Sequence, residues 1–340
     1  MLGILGLLGA LFAGVLADSM MNADAPGSED DPGDADGGND ELQAVPTIGD
    51  LLTDGATDGG MPQSDDDPDP RDPAVTLIGG AMDDILTGNG GADLVQGGDG
   101  GDLLGGRDGD DTISGGAGND HARGGEGIDF LTGGIGDDDL QGEGGDDDLS
   151  GEAGGDTLAG GSGNDRLTAG DGADSLLGGD GIDRLESGSG DDVANGGLGN
   201  DLMAGGAGAD EQDGGDGNDT IWGQDADGSD DHSTDFLNGG DGDDLLRIGA
   251  GDYGSGGAGS DLFLLEDIQP GDPLMQITDF DDGQDEIVLL YDPATHPDPE
   301  VTLSSTEGSD DAILLLDGVP VAQIVGGAGL SPAQIMLQPA

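Results

Sequence analysis

The sequence predicts an all-β chain: a parallel β-roll of stacked nine-residue units, with a small C-terminal β cap and a disordered acidic N-terminal region. Three observations predict it. The 340 residues include 76 glycines, their formal net charge is −70, and from Gly79 to Trp222 an aspartate recurs at every ninth residue without a miss. Glycine at this level without a collagen period means either disorder or a repeat architecture with many tight turns. Sixteen consecutive units in one phase decide for the repeat.

Composition bounds the function before any motif does. The cations are six arginines and three histidines, with no lysine. Nucleic acid is thereby excluded as a partner, because phosphate binding depends on basic side chains releasing counterions. There is no cysteine, which removes disulfide frameworks and zinc–thiolate sites. A polyanion of this kind calls for cations.

The elements follow in order. Residues 1–17, MLGILGLLGALFAGVLA, are apolar and glycine-spaced. They are short for a transmembrane helix and lack the basic start of a signal peptide, so a cleaved signal and a retained membrane-associated segment both stay open. Gly6, Ala10 and Gly14 add a small-xxx-small spacing, a weak helix-packing signal. Residues 18–75 are crowded with Asp, Gly and Pro, as in SDDDPDPRDP. Like charges repel and proline blocks regular structure, so this segment reads as an extended linker. The array proper occupies 76–264. Within it GQDADGSDDHSTDFLN (223–238) breaks the phase as an insertion, 239–247 restores it, 248–255 is a degenerate eight-residue unit and 256–264 closes it. Residues 265–340 carry β-rich runs such as EIVLLYD and AILLLDG between turn residues, and are expected to form the cap.

Within the sixteen units, position 1 is Gly in 14, position 4 is Gly in 15, position 6 is Asp in all, and position 8 is aliphatic in 13. Closely spaced glycines permit positive φ and close backbone approach. The x-U-x that follows suits a three-residue strand with U inward, because strand side chains alternate. Two units then make one coil of eighteen residues, and turns two units apart stack in a ladder about 4.8 Å apart. One aliphatic residue in nine buries too little surface to offset the ordering of nine backbones, and the laddered aspartates repel. Without metal the roll should be unfolded or nearly so. Calcium takes six to eight oxygen ligands and accepts carbonyls and carboxylates together. Zinc or copper would want His or Cys, and magnesium, with its smaller octahedron, suits the site less well. Binding energy then becomes folding energy.

The unit G-G-x-G-x-D-x-U-x resembles the RTX, or hemolysin-type, calcium-binding repeat. ITDFDDGQDEIVLL (277–290) is similar to the C-terminal region of serralysin-type secretion domains. The resemblance implies a calcium-loaded roll of about nine to ten coils. It also implies export through a type I secretion apparatus, directed by an uncleaved C-terminal signal, with folding only in the calcium-rich medium outside. It places the calcium carboxylates on Asp84, Asp93, Asp102, Asp111, Asp120, Asp129, Asp138, Asp147, Asp156, Asp165, Asp174, Asp183, Asp192, Asp201, Asp210, Asp219, Asp235, Asp244 and Asp261. Tyr253 falls at the equivalent position of the degenerate unit, Met82 replaces a turn glycine, and Asn89, Arg107, Glu143 and Glu152 replace the second glycine.

No H-E-x-x-H or G-x-S-x-G occurs, and His121, His232 and His296 sit at outward or loop positions. The chain is therefore expected to be non-catalytic: a secreted structural or surface/matrix interaction protein, with cell-surface or matrix polysaccharide as a possible partner. Two alternatives remain at this stage, a calcium-stabilised secretion module of an extracellular hydrolase or epimerase, and a surface adhesin. Positions 7 and 9 are too irregular for an ice-binding threonine ladder. Trp222, His232 and Phe236 beside the insertion are the least repetitive spot and the best candidate for a partner site, although an ordinary loop thrown out of the solenoid accounts for the insertion more readily.

Overall fold

The computed structural model describes residues 72–223, 233–266, 271–305 and 308–340. The apolar segment 1–17, most of the acidic linker and His232 lie outside them. The described chain winds as a parallel β-solenoid of two sheets, with thirteen strands in one and fourteen in the other, and from Thr76 to Tyr291 successive strands alternate between the two. Each strand pairs in parallel with the strand one coil away: Leu158 faces Leu140 on one side and Leu176 on the other. The eighteen-residue coil read from the sequence is thus the structural unit.

The strands are longer than three residues. They run over six, as in Leu94–Asp99, Thr112–Ala117 and Arg166–Asp171, with alternating burial that turns both position 8 and position 1 inward. Glycines 1 and 2 read as turn residues, yet here they stay within the strand because the neighbouring coil supplies their pairing partners. Position 8 forms the apolar file. Val95, Ile113, Leu131, Leu149, Leu167 and Leu185 line one sheet, and Leu104, Ala122, Leu140, Leu158 and Leu176 the other, each no more than 2% exposed. Position 2 takes positive φ, at 117° for Gly116 and 120° for Gly134. Arg107, Glu143 and Glu152 keep that backbone at 96°, 75° and 77°, so the replaced turns are strained and stay closed. For non-glycine residues such conformations cost about 1–3 kcal/mol. Glu152→Gly is accordingly expected to raise the melting temperature of the folded chain by about 2–4 °C, read by thermal denaturation in calcium. An unchanged or lower melting point would contradict the strain.

Where the array is irregular, the coil adjusts. In the degenerate unit Gly254 stands at position 8, and the Ile248 side chain, itself fully buried, fills the space a Gly254 side chain would need. Of the insertion, residues 224–232 lie outside the described ones, and Phe236 and Leu237 are already paired with Glu211 and Gln212. The segment 265–340 continues both sheets. Glu286–Tyr291 extends one by pairing with Leu262–Leu265, and Met275–Ile277 extends the other by pairing with Tyr253–Ala258. An antiparallel turn-back through Val301–Ser305, Ala312–Leu316 and Val319–Ile324 then ends the second sheet. Among the described residues no helix is long and apolar enough to cross a membrane.

Candidate metal centre

Each coil presents two position-6 aspartates, and stacking collects them into two files. In one file the backbone N–H of each aspartate donates to Oδ1 of the aspartate one coil further on. It starts at Val75, whose N–H donates to Asp93, and runs through Asp111, Asp129, Asp147, Asp165, Asp183, Asp201, Asp219, Asp244 and Asp261 to Asp285, at 2.7–3.1 Å. The second file runs from Asp84 through Asp102, Asp120, Asp138, Asp156, Asp174, Asp192, Asp210 and Asp235 to Asp252, over the same range.

All nineteen sequence-predicted aspartates stand in these files. Eighteen are buried, between 0% and 4% exposed, and Asp84 at the first coil is half-buried. Two members escaped the sequence reading. Asp252, 1% exposed, takes the place assigned to Tyr253, because Tyr253 pairs with Phe236 at position 7. The shortened unit had moved the count by one. Asp285 closes the other file from within the tail, also accepting from the Asp281 N–H at 2.8 Å. A further device is a ladder at position 5, where Asn119, Asp137, Asp146, Asn164 and Asn218 accept backbone N–H groups one coil later at 2.8–3.1 Å. Its signal was the scatter of Asp and Asn at that position, hidden among Gly, Ala and Ile.

The carboxylates lie inside the turns instead of on an outer edge. A methyl group on Gly97 would overlap Oδ2 of Asp102 and sit 2.7 Å from the Gly115 carbonyl oxygen. The same holds at Gly115, against Asp120 and the Gly133 carbonyl at 2.8 Å, and at Gly160, against Asp165 and the Gly178 carbonyl at 2.7 Å. Position 1 is glycine for this reason, since a carboxylate oxygen and a carbonyl oxygen occupy the side chain's place.

While Oδ1 is satisfied, Oδ2 is not. In Asp102, Asp111, Asp120, Asp129, Asp138, Asp147, Asp156, Asp165, Asp174, Asp183, Asp192, Asp201, Asp219 and Asp244 it is buried with no hydrogen-bond partner. Burial pushes the carboxyls up against the lowering effect of the backbone N–H, and neighbouring carboxylates add to the rise: Asp111, Asp138, Asp147 and Asp219 reach about 6, and Asp129, Asp183 and Asp244 about 7. Buried ionised oxygens without partners are costly, so these turns lack a positive charge. Among the described residues no group of three or more His, Cys, Asp or Glu side chains converges. A cation here must therefore complete its shell with backbone carbonyls, and that oxygen-only donor set fits calcium.

The expected partner site beside the insertion does not assemble. Trp222 belongs to one sheet and Phe236 to the other. Trp222 is covered by the Arg247 guanidinium, 5.5 Å from its ring centre, and Phe236 stacks on Tyr253 at 4.9 Å.

The profile described as RTX calcium-binding nonapeptide repeat (4 copies) matches in overlapping segments from 76 to 212 and again over 213–227 and 233–254, just over half of the chain. A comparison with curated proteins finds no match.

Proposed function

The chain belongs to the RTX calcium-binding repeat family, and on that premise we propose that it is a secreted protein whose roll folds on calcium outside the cell and serves a structural or surface/matrix role without catalysis. The observation that carries the calcium-driven step is the set of fourteen buried Oδ2 atoms without partners along the two files. Each is a negative charge the fold has prepared and does not itself neutralise. Calcium supplies that positive charge when bound. The position-6 aspartates would hold it together with carbonyl oxygens of the glycine turns, while the position-8 file excludes water from the interior. Because the backbone N–H of the preceding coil holds each Oδ1, the carboxylate keeps one orientation in the folded roll and turns Oδ2 to the ion. Export by a type I secretion apparatus fits a chain that this charge keeps open where calcium is scarce. The stretch 277–290 is built into the last coils: Ile277 and Ile287 are buried there, and Asp279 ties down the Gly256 and Gly257 N–H groups at 3.0 and 2.8 Å.

Circular dichroism in EGTA, followed by titration with millimolar calcium, tests the reading. The expected result is a cooperative gain of β signal with calcium and little with magnesium at the same concentration. Full β structure in EGTA, or no gain on adding calcium, refutes it.

A further inference from the structure

The five arginines and two histidines among the described residues are not equally matched. Arg166 lies 3.9 Å from Asp148 and 3.7 Å from Glu186, Arg184 and Arg247 pair with Glu186 and Glu266, and His296 pairs with Asp317. Arg107 and Arg123 have no ion pair among the described residues, although the chain carries 76 acidic residues. Both are exposed on the outer face of the fourteen-stranded sheet, on the neighbouring strands Leu103–Asp108 and His121–Glu126.

They line one cavity of about 430 Å³, together with Thr87, Leu103, His121 and Glu143. Its shape follows from the repeat. Gly105 stands at position 9 between Thr87 and Arg123, so a side chain is missing from the row there. Gly125 stands at position 2 between Arg107 and Glu143, whose α-carbons are therefore two strand spacings apart, roughly 9–10 Å. The result is a glycine-floored hollow walled by long charged side chains. Two of those walls, Arg107 and Glu143, sit at positive φ, 96° and 75°, where most units of the repeat use glycine. Strained residues that persist are concentrated at binding sites. His121 is held at the rim by Asp139, 3.0 Å from its Nδ1.

We propose that this hollow binds an acidic sugar unit: a carboxylate or sulfate group held by Arg107 and Arg123, ring hydroxyls met by Glu143 and Thr87, and the apolar ring face laid against Leu103. The guanidinium fork matches a planar oxyanion in two parallel hydrogen bonds, and the volume falls within the range of small-ligand sites. Glu143 adds selectivity, because it repels a second negative group at the far end while accepting from a hydroxyl. This inference rests on the surface/matrix reading above and gives its partner a chemistry.

The test uses the full chain in calcium, titrated calorimetrically at fixed free calcium with trigalacturonate, a sulfated disaccharide and neutral maltotriose. The expected result is binding of an acidic sugar and none of maltotriose; which of the two acidic probes binds tells carboxylate from sulfate. Arg107→Gly and Arg123→Gln should each weaken it about tenfold or more, the effect of one lost charge-assisted hydrogen bond, while Arg166→Gln leaves it unchanged. Arg107→Gly restores the repeat's own glycine, so its melting point should rise as binding falls, which separates a lost contact from a damaged fold. Acidic sugars bridged by bound calcium alone would bind the Arg107 and Arg123 variants like the parent, and that overturns the proposal. Equal binding of maltotriose, or no binding by a chain that circular dichroism shows to be folded, overturns it as well. A chain that stays unfolded in calcium overturns the calcium-driven reading and this site together.

Discussion

In EGTA at about pH 7.5 the chain loses its β signal, and acidification to about pH 4 restores it with no metal added. The direction follows from the carboxyls. Burial holds Asp129, Asp183 and Asp244 at about 7, and Asp111, Asp138, Asp147 and Asp219 at about 6, against an ordinary 3.8. Between 3.8 and those values the folded state binds more protons than the unfolded one, so stability falls as pH rises through that window. Metal-free, the roll is most stable below about pH 4 and least stable above about pH 7. The net charge of −70 at neutral pH points the same way, since it too is titrated off on acidification. Calcium reverses the profile. The ion needs the ionised carboxylates, so the loaded roll is stable at neutral pH and sheds metal as protons compete. Two melting curves against pH, one in EGTA and one in calcium, should therefore slope in opposite directions. Parallel slopes, or a metal-free chain that gains no structure on acidification, would show that the carboxylates do not govern folding.

Asp183→Asn should separate the two roles of a single aspartate. Its Oδ1 accepts the Asp165 N–H at 2.8 Å, and asparagine keeps that acceptor. Its buried Oδ2 has no partner, and a carboxyl that titrates at about 7 in the fold opposes folding above that pH by on the order of 2–4 kcal/mol. Removing the charge stabilises the metal-free roll, less the cost of burying an amide N–H. In calcium the same change removes a charged ligand and destabilises. In EGTA the pH at which the metal-free roll unfolds should move upward while melting in calcium falls, and calorimetric titration should show fewer or weaker sites. Asp183→Ala serves as the contrast: it removes the same charge but also strands the Asp165 N–H, at about 1–3 kcal/mol, so it should stabilise the metal-free roll less than asparagine does and destabilise the calcium-loaded one more. Losses of equal size for Asn and Ala in EGTA would mean that the charge is not what opposes folding.

Much of this was legible in the sequence, and the limits have physical causes. The position-6 series and the position-8 file set the coil length and the interior, because period two in a strand and period eighteen in a coil leave few alternatives. Strand length was underestimated because Gly97 and Gly98 read locally as a turn, and only the next coil keeps them within the strand. The inward seat of Asp102 beneath Gly97 depends on a side chain being absent, and a glycine-rich motif explains its glycines equally well by conformational freedom. Asp252 was missed because a shortened unit shifts the count by one. The aspartate file is the better register mark there, since Asp235 donates to Asp252 directly at 3.1 Å. Arg107 and Arg123, sixteen residues apart, look unrelated until the coil places them on neighbouring strands.

The file of Asp-to-Asp hydrogen bonds also bears on how such a molecule changes length over evolutionary time. Most steps span eighteen residues, but the step from Asp210 to Asp235 spans 25 and the step from Asp235 to Asp252 spans 17. The hydrogen bond is made in each case, so the solenoid tolerates extra or missing residues between its register marks. Duplicating or deleting one whole coil would join surfaces already complementary to each other and shift the copy number without a new interface. A change of nine residues would instead exchange the outer faces of the two sheets beyond the junction, moving every exposed feature there to the opposite side. Gene rearrangements that preserve the molecule's two faces should therefore come in whole coils, which makes the roll a scaffold whose span can drift while its sidedness stays fixed.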